Sequence, residues 1–245
     1  ENPITLNIIT GKEPIPNDKK LERYFVGKSR KNSDIIMMNI FHSRVVKYML
    51  YLEYIGKSHK NNNVLELSGG RGADIHKWVK NKIKYITIHD MDQIALDESK
   101  KRLNNMRHNL KVKYVQGDLR ENIYNKFGKN KFNAISMQFA IHYMLGSRNA
   151  LKNLLKTIKY NLESGGYFIF TTLDGNLVFD LLTKNSVQYG ESYEFKKNNK
   201  KILAIKRLYK ENTFNELGQE ISVYVETIGE HSGEFLVNFD YILNN

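Results

Sequence analysis

Val64-Leu65-Glu66-Leu67-Ser68-Gly69-Gly70-Arg71-Gly72-Ala73-Asp74 is the stretch on which the reading of this chain turns. Val64 to Leu67 is a short apolar run that reads as a buried strand, and it empties into a glycine-rich turn. Ala73 to Lys80 then reads as the opening of a helix that carries Trp78. Strand, glycine turn and helix in that order is how an α/β sheet cradles a nucleotide-like cofactor. Glycines serve there because a side chain would block the approach of ligand to backbone, and because tight turns often call for positive φ. The helix N-terminus adds free N–H groups and a favourable dipole. Plain strand–helix connections share this composition, so the neighbouring strand has to decide.

Tyr85-Ile86-Thr87-Ile88-His89 alternates and is rich in β-formers, and it ends at Asp90, with Asp92 just beyond. A carboxylate at the tip of the second strand, roughly 20 residues past the glycine turn, is placed to hold the two hydroxyls of a ribose. An ionised carboxylate accepts both bonds at once and so fixes the sugar. Asp90 is also suited to cap the helix expected from Gln93 to about Met106, and the two roles are compatible.

The same alternation continues outward. Val112 to Gln116 reads as a third strand leading into Gly117-Asp118-Leu119, and Phe132 to Met137 as a fourth leading into Gln138-Phe139-Ala140-Ile141-His142-Tyr143. A helix from Ala150 to Leu162 is expected to stop at Ser164-Gly165-Gly166, before a fifth strand from Tyr167 to Thr172. Strands alternating with helices predict a mostly parallel sheet with right-handed crossovers. Ligand then belongs at the C-terminal strand ends, where Gly70, Asp90, Asp118 and Gln138 fall together. Asn185 to Lys201 reads as a polar insertion, after which Ile202–Leu208, Ile221–Ile228 and Phe235–Phe239 are strand-like. These are expected as antiparallel strands that complete the same sheet. The fold class is therefore α/β and Rossmann-like: a mostly parallel central sheet, antiparallel C-terminal strands and helices on both faces.

Upstream, Asp34 to Ile55 has a helical pattern with Ser33 or Asp34 as N-cap, and Ile36, Ile40, Val46, Leu50 and Tyr54 share a face. Residues 1–33 read as a basic arm that contains all three prolines, Pro3, Pro14 and Pro16. Lys19, Lys20, Arg23, Lys28, Arg30 and Lys31 are interrupted by Tyr24 and Phe25, which suits a surface that tracks a backbone and stacks bases. A merely solvated charged arm has the same composition. Residues 34–245 read as one domain.

Composition narrows the partners. Lys+Arg 38 against Asp+Glu 26 gives a net charge of +12, which favours a polyanion, nucleic acid first. The competing reading is a Lys- and Asn-rich composition that only solubilises the surface. With 41% hydrophobic residues the 245-residue chain can bury a core. Without cysteine it can build neither disulfides nor a thiolate metal site, and the scattered histidines carry no His-Glu-x-x-His signature, so no metal is expected. No apolar run has membrane length and no signal peptide is visible, which predicts no membrane partner. The expected location is intracellular, cytoplasmic before nuclear.

Three motifs carry a resemblance to a known family. Leu67-Ser68-Gly69-Gly70-Arg71-Gly72-Ala73-Asp74 with Lys77-Trp78 is similar to a glycine turn ending in Gly-Gly-Asp and a Lys-Trp pair. Gln138-Phe139-Ala140-Ile141-His142-Tyr143 is close to a Gln-Phe-x-x-His-Tyr signature, the most specific of the three. Gly165-Gly166-Tyr167-Phe168-Ile169 with Thr171-Thr172 matches the family's fifth strand. Together they resemble the class I S-adenosylmethionine-dependent methyltransferases, and within them the mRNA cap guanine-N7 methyltransferases, including the methyltransferase domains of viral capping enzymes.

That resemblance implies S-adenosyl-L-methionine as cofactor, held by Lys47, Gly70, Asp90, Asp118, Gln138 and Tyr143. Asp90 would take the ribose, Asp118 the adenine edge and Lys47 the methionine carboxylate. Phe139, His142 and Tyr143 would line a pocket for the cap guanine, and Glu234 would accept from its N1 and N2 hydrogens. The implied partners are the capped RNA 5′ end and other capping-enzyme domains in the same polypeptide. Ser68, Ser43, Leu173 and Gly233 stand where the family has glycine, asparagine, proline and proline.

Guanine N7 is a lone-pair nucleophile without a proton, so its in-line methylation needs positioning rather than a general base. Ribose methylation would instead need a buried lysine held by acidic neighbours, and no such group is visible in the sequence. A methyltransferase for another RNA or a small molecule, and a non-enzymatic RNA-binding module on the same fold, are the competing readings.

Overall fold

The computed structural model describes residues 33–56, 62–128 and 132–244. Five parallel strands form the central sheet in the order β3-β2-β1-β4-β5: β1 (Asn63–Leu67), β2 (Tyr85–Asp90), β3 (Lys111–Gln116), β4 (Phe132–Gln138) and β5 (Leu162–Thr171). Strand order reverses at β1, so the glycine turn opens at the topological switch point where ligands bind on such sheets.

Alternation along β1 shows why both faces are covered. Leu65 and Leu67 enter one core with Phe127, Ile135, Met137, Ile141 and Leu154. Val64 enters the other, with Tyr51, Ile75, Trp78, Ile86 and Leu96. Each fully buried Leu or Ile contributes roughly 1.5–3 kcal/mol, so the sheet is anchored from both sides.

The helical segment upstream of β1 contains α1 (Ile36–Ile40) and α2 (Lys47–Tyr51), joined and followed by π-helical turns at Phe41–Val46 and Leu52–Gly56. Those turns shift the helical register. The residues it buries are therefore Ile35, Tyr51 and Ile55, whereas the expected face of Ile36, Ile40, Val46, Leu50 and Tyr54 is half-buried or exposed. Downstream come α3 (Ile75–Lys80), α4 (Gln93–Asn104), α5 (Arg148–Asn161), α6 (Gly175–Lys184) and α7 (Phe239–Leu243). Ser147 caps α5, accepting from the Ala150 N–H at 3.2 Å, and Asp174 caps α6, accepting from Leu177 at 3.1 Å. Helix α5 runs directly into β5, so Ser164-Gly165-Gly166 lies inside that strand rather than ending the helix.

The C-terminal strands depart from expectation. They do not complete the central sheet but form a separate antiparallel meander, β6 (Ser192–Lys197), β7 (Lys200–Arg207), β8 (Glu220–Val225) and β9 (His231–Phe235). Ile205, Ile221 and Val223 of this sheet pack on Val178, Phe179 and Leu182 of α6 in a third core, which satisfies their apolar face without the central sheet. Strand β6 lies within the stretch read as a polar insertion. A two-residue turn with Asn198 at φ 49° and Asn199 at φ 60° joins it to β7, the geometry that a tight hairpin demands. The strand expected over Phe235–Phe239 is instead β9, and Phe239 starts α7 because the Asn238 side chain caps it, accepting from Tyr241 at 3.0 Å. Among the described residues no helix is long and apolar enough to cross a membrane. The proposed basic arm lies outside the described residues except for Ser33.

Ser33 and Asp34 fasten the upstream helix to the small sheet. The buried Glu226 carboxylate accepts from the Ser33 hydroxyl at 3.2 Å, from the Asp34 N–H at 3.0 Å and from Lys200. At its other end the segment lies on α3, with Tyr51 stacked on Trp78 at 4.0 Å between ring centroids.

Candidate active site

The turn after β1 is left-handed at three residues, Ser68 (φ 54°), Gly70 (φ 53°) and Gly72 (φ 73°). A Cβ at Gly72 would stand 2.5 Å from Ile75 Cδ1 and 2.7 Å from Ser99 Oγ, so only glycine fits. Ser68 adopts the same backbone at a cost, which accounts for the glycine that the resembling family has there. At Gly70 the direction a side chain would take is open. Its N–H donates to Asp90 Oδ2 at 2.7 Å, while Asp90 Oδ1 accepts from the Asp92 N–H at 3.0 Å. Burial raises the Asp90 carboxyl above its ordinary range, and the N–H groups of Asp92 and Gly70 oppose that rise. Asp92, not Asp90, caps α4, accepting from Ile94 at 2.8 Å. Asp90 is thus free of the capping task and faces the glycine turn.

Beside it lies a cavity of about 270 Å³ whose lining includes Ser68, Met91, Asp118, Arg120 and Tyr143. Asp118 is gripped by Arg120, whose Nη2 donates to Oδ2 at 2.6 Å and whose Nε donates to Oδ1 at 3.0 Å. That hydrogen bond holds the Asp118 carboxyl below the usual carboxylate range. An adenine edge at Asp118 would therefore share the carboxylate with Arg120.

Lys47 reaches the far side of the turn, where Asp74 accepts from its Nζ at 2.8 Å, from the Tyr51 hydroxyl at 3.2 Å and from Lys77. Burial works against the Asp74 charge, but the two lysines overcome it and hold the carboxyl below its ordinary value. A lysine ammonium has three donors, so Lys47 keeps capacity for a second anion. Glu66 lies buried in the same region and accepts from the Trp78 indole N–H. Burial first, and then the Asp74 charge, push its carboxyl up to about 8. The structure thus does contain a buried lysine, Lys77, and a half-buried one, Lys47, held by the same acid, which the sequence did not reveal. With Asp74 ionised between them they form a neutralising strut under the turn, not a free base.

The Gln138–Tyr143 motif leaves β4 after Gln138. Phe139 turns left-handed at φ 51°, and Ile141–Met144 make one 3₁₀ turn. Gln138 is buried and spoken for, donating to Ser136 Oγ at 3.2 Å and accepting from Thr171 Oγ1 at 2.9 Å, which leaves one N–H for a ligand. Phe139 is 43% exposed and meets the edge of His42 at 4.6 Å between centroids. His142 is 3% exposed, packs edge-on to Tyr143 at 4.2 Å, and neither ring nitrogen has a hydrogen-bond partner among the described residues. Its Nδ1 stands 3.7 Å from Glu234 Oε2, brought in by β9. Burial pushes His142 down to about 4 and Glu234 up to about 7. Tyr143 lines the 270 Å³ cavity and also approaches Ser232 Oγ at 3.4 Å, so it links the cavity to the His142–Glu234 pair.

Of the expected residues, Gly70 and Asp90 meet at the glycine turn, Lys47 reaches Asp74 of the same turn, and Asp118 and Tyr143 share the cavity with Ser68. His142 meets Tyr143 and Glu234, whereas Phe139 meets His42 and Gln138 meets Ser136 and Thr171. Four neighbours were not anticipated: Glu66, Asp74, His42 and Ser232. An acidic residue inside the apolar run Val64–Leu67 was a legible sign of Glu66, and Asp74 stood in the quoted motif. His42 had no sign, since a π-helical turn sets its direction. Among the described residues no group of three or more His, Cys, Asp or Glu side chains is arranged to hold a metal.

This geometry defines a class I S-adenosylmethionine-dependent methyltransferase fold. The CcbJ methyltransferase from Streptomyces caelestis has a TM-score of 0.57 at 14% identity, over 91% of this chain and 80% of that one. The particular family follows from sequence: the model of the mRNA (guanine-N(7))-methyltransferase domain matches residues 18–244, and the chain belongs to that family. It is 31% identical over 208 residues to an mRNA-capping enzyme of African swine fever virus, covering 78% of this chain and 24% of the viral protein. An mRNA cap guanine-N(7) methyltransferase of Schizosaccharomyces pombe is 27% identical over 155 residues, covering 62% of this chain and 43% of that protein.

Proposed function

We propose that this chain transfers the methyl group of S-adenosyl-L-methionine to N7 of the guanosine cap of RNA. The observation that carries the proposal is the His142–Glu234 pair at 3.7 Å beside Tyr143, which itself lines the 270 Å³ cavity with Ser68 and Asp118. A guanine edge offers two adjacent N–H donors and one carbonyl acceptor. Glu234 accepts from the donors, and His142, neutral because it is buried, donates to the acceptor. The unmet hydrogen-bonding capacity of both His142 ring nitrogens supports a polar ligand there.

The chain's own residues fit the cofactor. Asp90 offers a carboxylate to the ribose hydroxyls, Gly70 lets the ligand approach the backbone, Asp118 faces the adenine, and Lys47 meets the methionine carboxylate. Gln138 and Tyr143 border its reactive end. When bound, S-adenosylmethionine supplies a methyl group on a positively charged sulfur. Phe139 and Tyr143 give the guanine aromatic surface, which also favours the cation formed on methylation. N7 carries no proton, so no residue has to remove one, and alignment of the base is what the protein contributes. We place the domain beside other capping domains of a longer polypeptide, because it matches 24% of the length of its viral relative.

Competition binding tests the guanine pocket. An unmethylated cap dinucleotide, GpppA, displaces a fluorescent cap analogue while ApppA does not. Equal displacement by both would contradict the assignment of Glu234.

A further inference from the structure

His89 stands at the end of β2, 1% exposed, and takes no part in the chemistry proposed above. Its ring bridges the segments that follow β1 and β3, on either side of β2. Nε2 lies 2.8 Å from the Gly117 carbonyl after β3, and the Ser68 N–H after β1 points at Nδ1 at 3.4 Å. A carbonyl can only accept and an N–H can only donate, so the proton sits on Nε2 and the lone pair on Nδ1. The main chain ties each segment to β2 as well, Gly69 donating to the His89 carbonyl at 2.8 Å and Gly117 to the Asp90 carbonyl at 3.1 Å. Phe127 meets the ring edge-on at 5.6 Å between centroids and keeps it from turning. Ser68, His89, Gly117 and Asp118 all line the same 270 Å³ cavity.

We infer that His89 is a positioning residue for the cofactor, tying the glycine turn to the Gly117–Arg120 loop so that the cleft between them keeps the width an adenosine needs. The inference rests on the methyltransferase reading of this cleft and adds the element that sets its dimension. Ser68 makes the tie matter. Its left-handed backbone is strained for a residue with a side chain, and a bond to its N–H helps to hold it there. The neighbouring loop, irregular between β3 and Tyr124, is held besides by Gly117 donating to the Asp90 carbonyl at 3.1 Å, by Asn153 donating to the Arg120 carbonyl at 2.7 Å and by Lys156 donating to Asn122 Oδ1 at 3.3 Å. Of these bonds only that of His89 comes from a side chain that also reaches the glycine turn.

Three proteins test this: the unchanged chain, His89→Phe and His89→Gln. Phenylalanine keeps a ring against Phe127 and removes both bonds, whereas glutamine can again donate to Gly117. The Phe variant is expected to raise the cofactor Kd and the KM for S-adenosylmethionine about tenfold, the effect of about one buried hydrogen bond. Its kcat and its KM for capped RNA stay near those of the parent, and the Gln variant recovers most of the loss. A Phe variant that binds cofactor like the parent overturns the inference. So does one that loses cofactor affinity, RNA affinity and Tm together, which would be a purely structural role. Failure of the unchanged chain to bind S-adenosylmethionine would instead remove the methyltransferase reading, and this inference with it.

Discussion

His142 and Glu234 face each other at 3.7 Å from two different sheets, His142 on the turn after β4 and Glu234 on β9 of the antiparallel meander. The small sheet therefore borders the candidate site. Its β9 supplies the group that the proposed guanine edge needs, and Ser232 on the same strand approaches the Tyr143 hydroxyl at 3.4 Å.

Glu234 should govern RNA use without governing cofactor use. Glu234→Gln is expected to lower kcat/KM for capped RNA about 100-fold, the scale of losing a charged acceptor for two donors. The Kd for S-adenosylmethionine should not change. Burial holds the Glu234 carboxyl at about 7, and the ionised form is the one that accepts. In the parent kcat/KM should therefore rise with pH through about 7, and the Gln variant should lack that step.

Asp90→Ala is expected to weaken S-adenosylmethionine binding by about 100-fold or more in a calorimetric titration, since two bonds to an ionised acceptor are lost. Circular dichroism should show the parent's fold, because Asp92 and not Asp90 caps α4, while Tm should fall modestly as the Gly70 and Asp92 N–H groups lose their acceptor. Unchanged affinity would remove Asp90 from the site.

Asp74 neutralises Lys47 and Lys77 in a buried setting. Asp74→Ala strands both charges and should cost about 3–5 kcal/mol in urea unfolding, the usual penalty for removing one partner of a buried pair. Lys47→Met should cost less, because Asp74 retains Lys77 and Tyr51. Its larger effect should fall on cofactor affinity. Equal destabilisation by the two changes would contradict this division.

Glu66 predicts a pH dependence of stability. In the fold its carboxyl keeps a proton up to about pH 8, whereas the unfolded chain releases it near 4.5. Between those values the native state binds more protons, so stability falls as pH rises across that window. Glu66→Gln keeps an acceptor for the Trp78 indole and removes the titration. The difference in Tm between variant and parent should therefore grow in favour of the variant from pH 5 to pH 8. A constant difference would mean that Glu66 is ionised throughout.

The part of the fold legible in the sequence is the part where local pattern and tertiary role coincide. Val64–Asp74 and Tyr85–Asp90 carry strand, turn and carboxylate in order, and they fold as read. The course of Phe139–Tyr143 was not legible, because a single positive φ at Phe139, which no residue type there announces, turns the chain into a 3₁₀ helix. The pairing of β6–β9 was not legible, since alternation marks a strand but not its neighbour. Strand β6 was read as a polar insertion, because the surrounding lysines and asparagines obscured the alternation of Tyr193 and Phe195. Lys47 was found by resemblance alone, and the structure places it beside the glycine turn only through Asp74, whose role is to hold it.

Methyl transfer from labelled S-adenosylmethionine to RNA ending in an unmethylated guanosine cap tests the central claim most directly, with the same RNA already methylated at N7 run alongside. The account predicts label on the first RNA only, released by nuclease digestion as N7-methylguanosine cap. Label on both RNAs, or label recovered on a ribose, would contradict it.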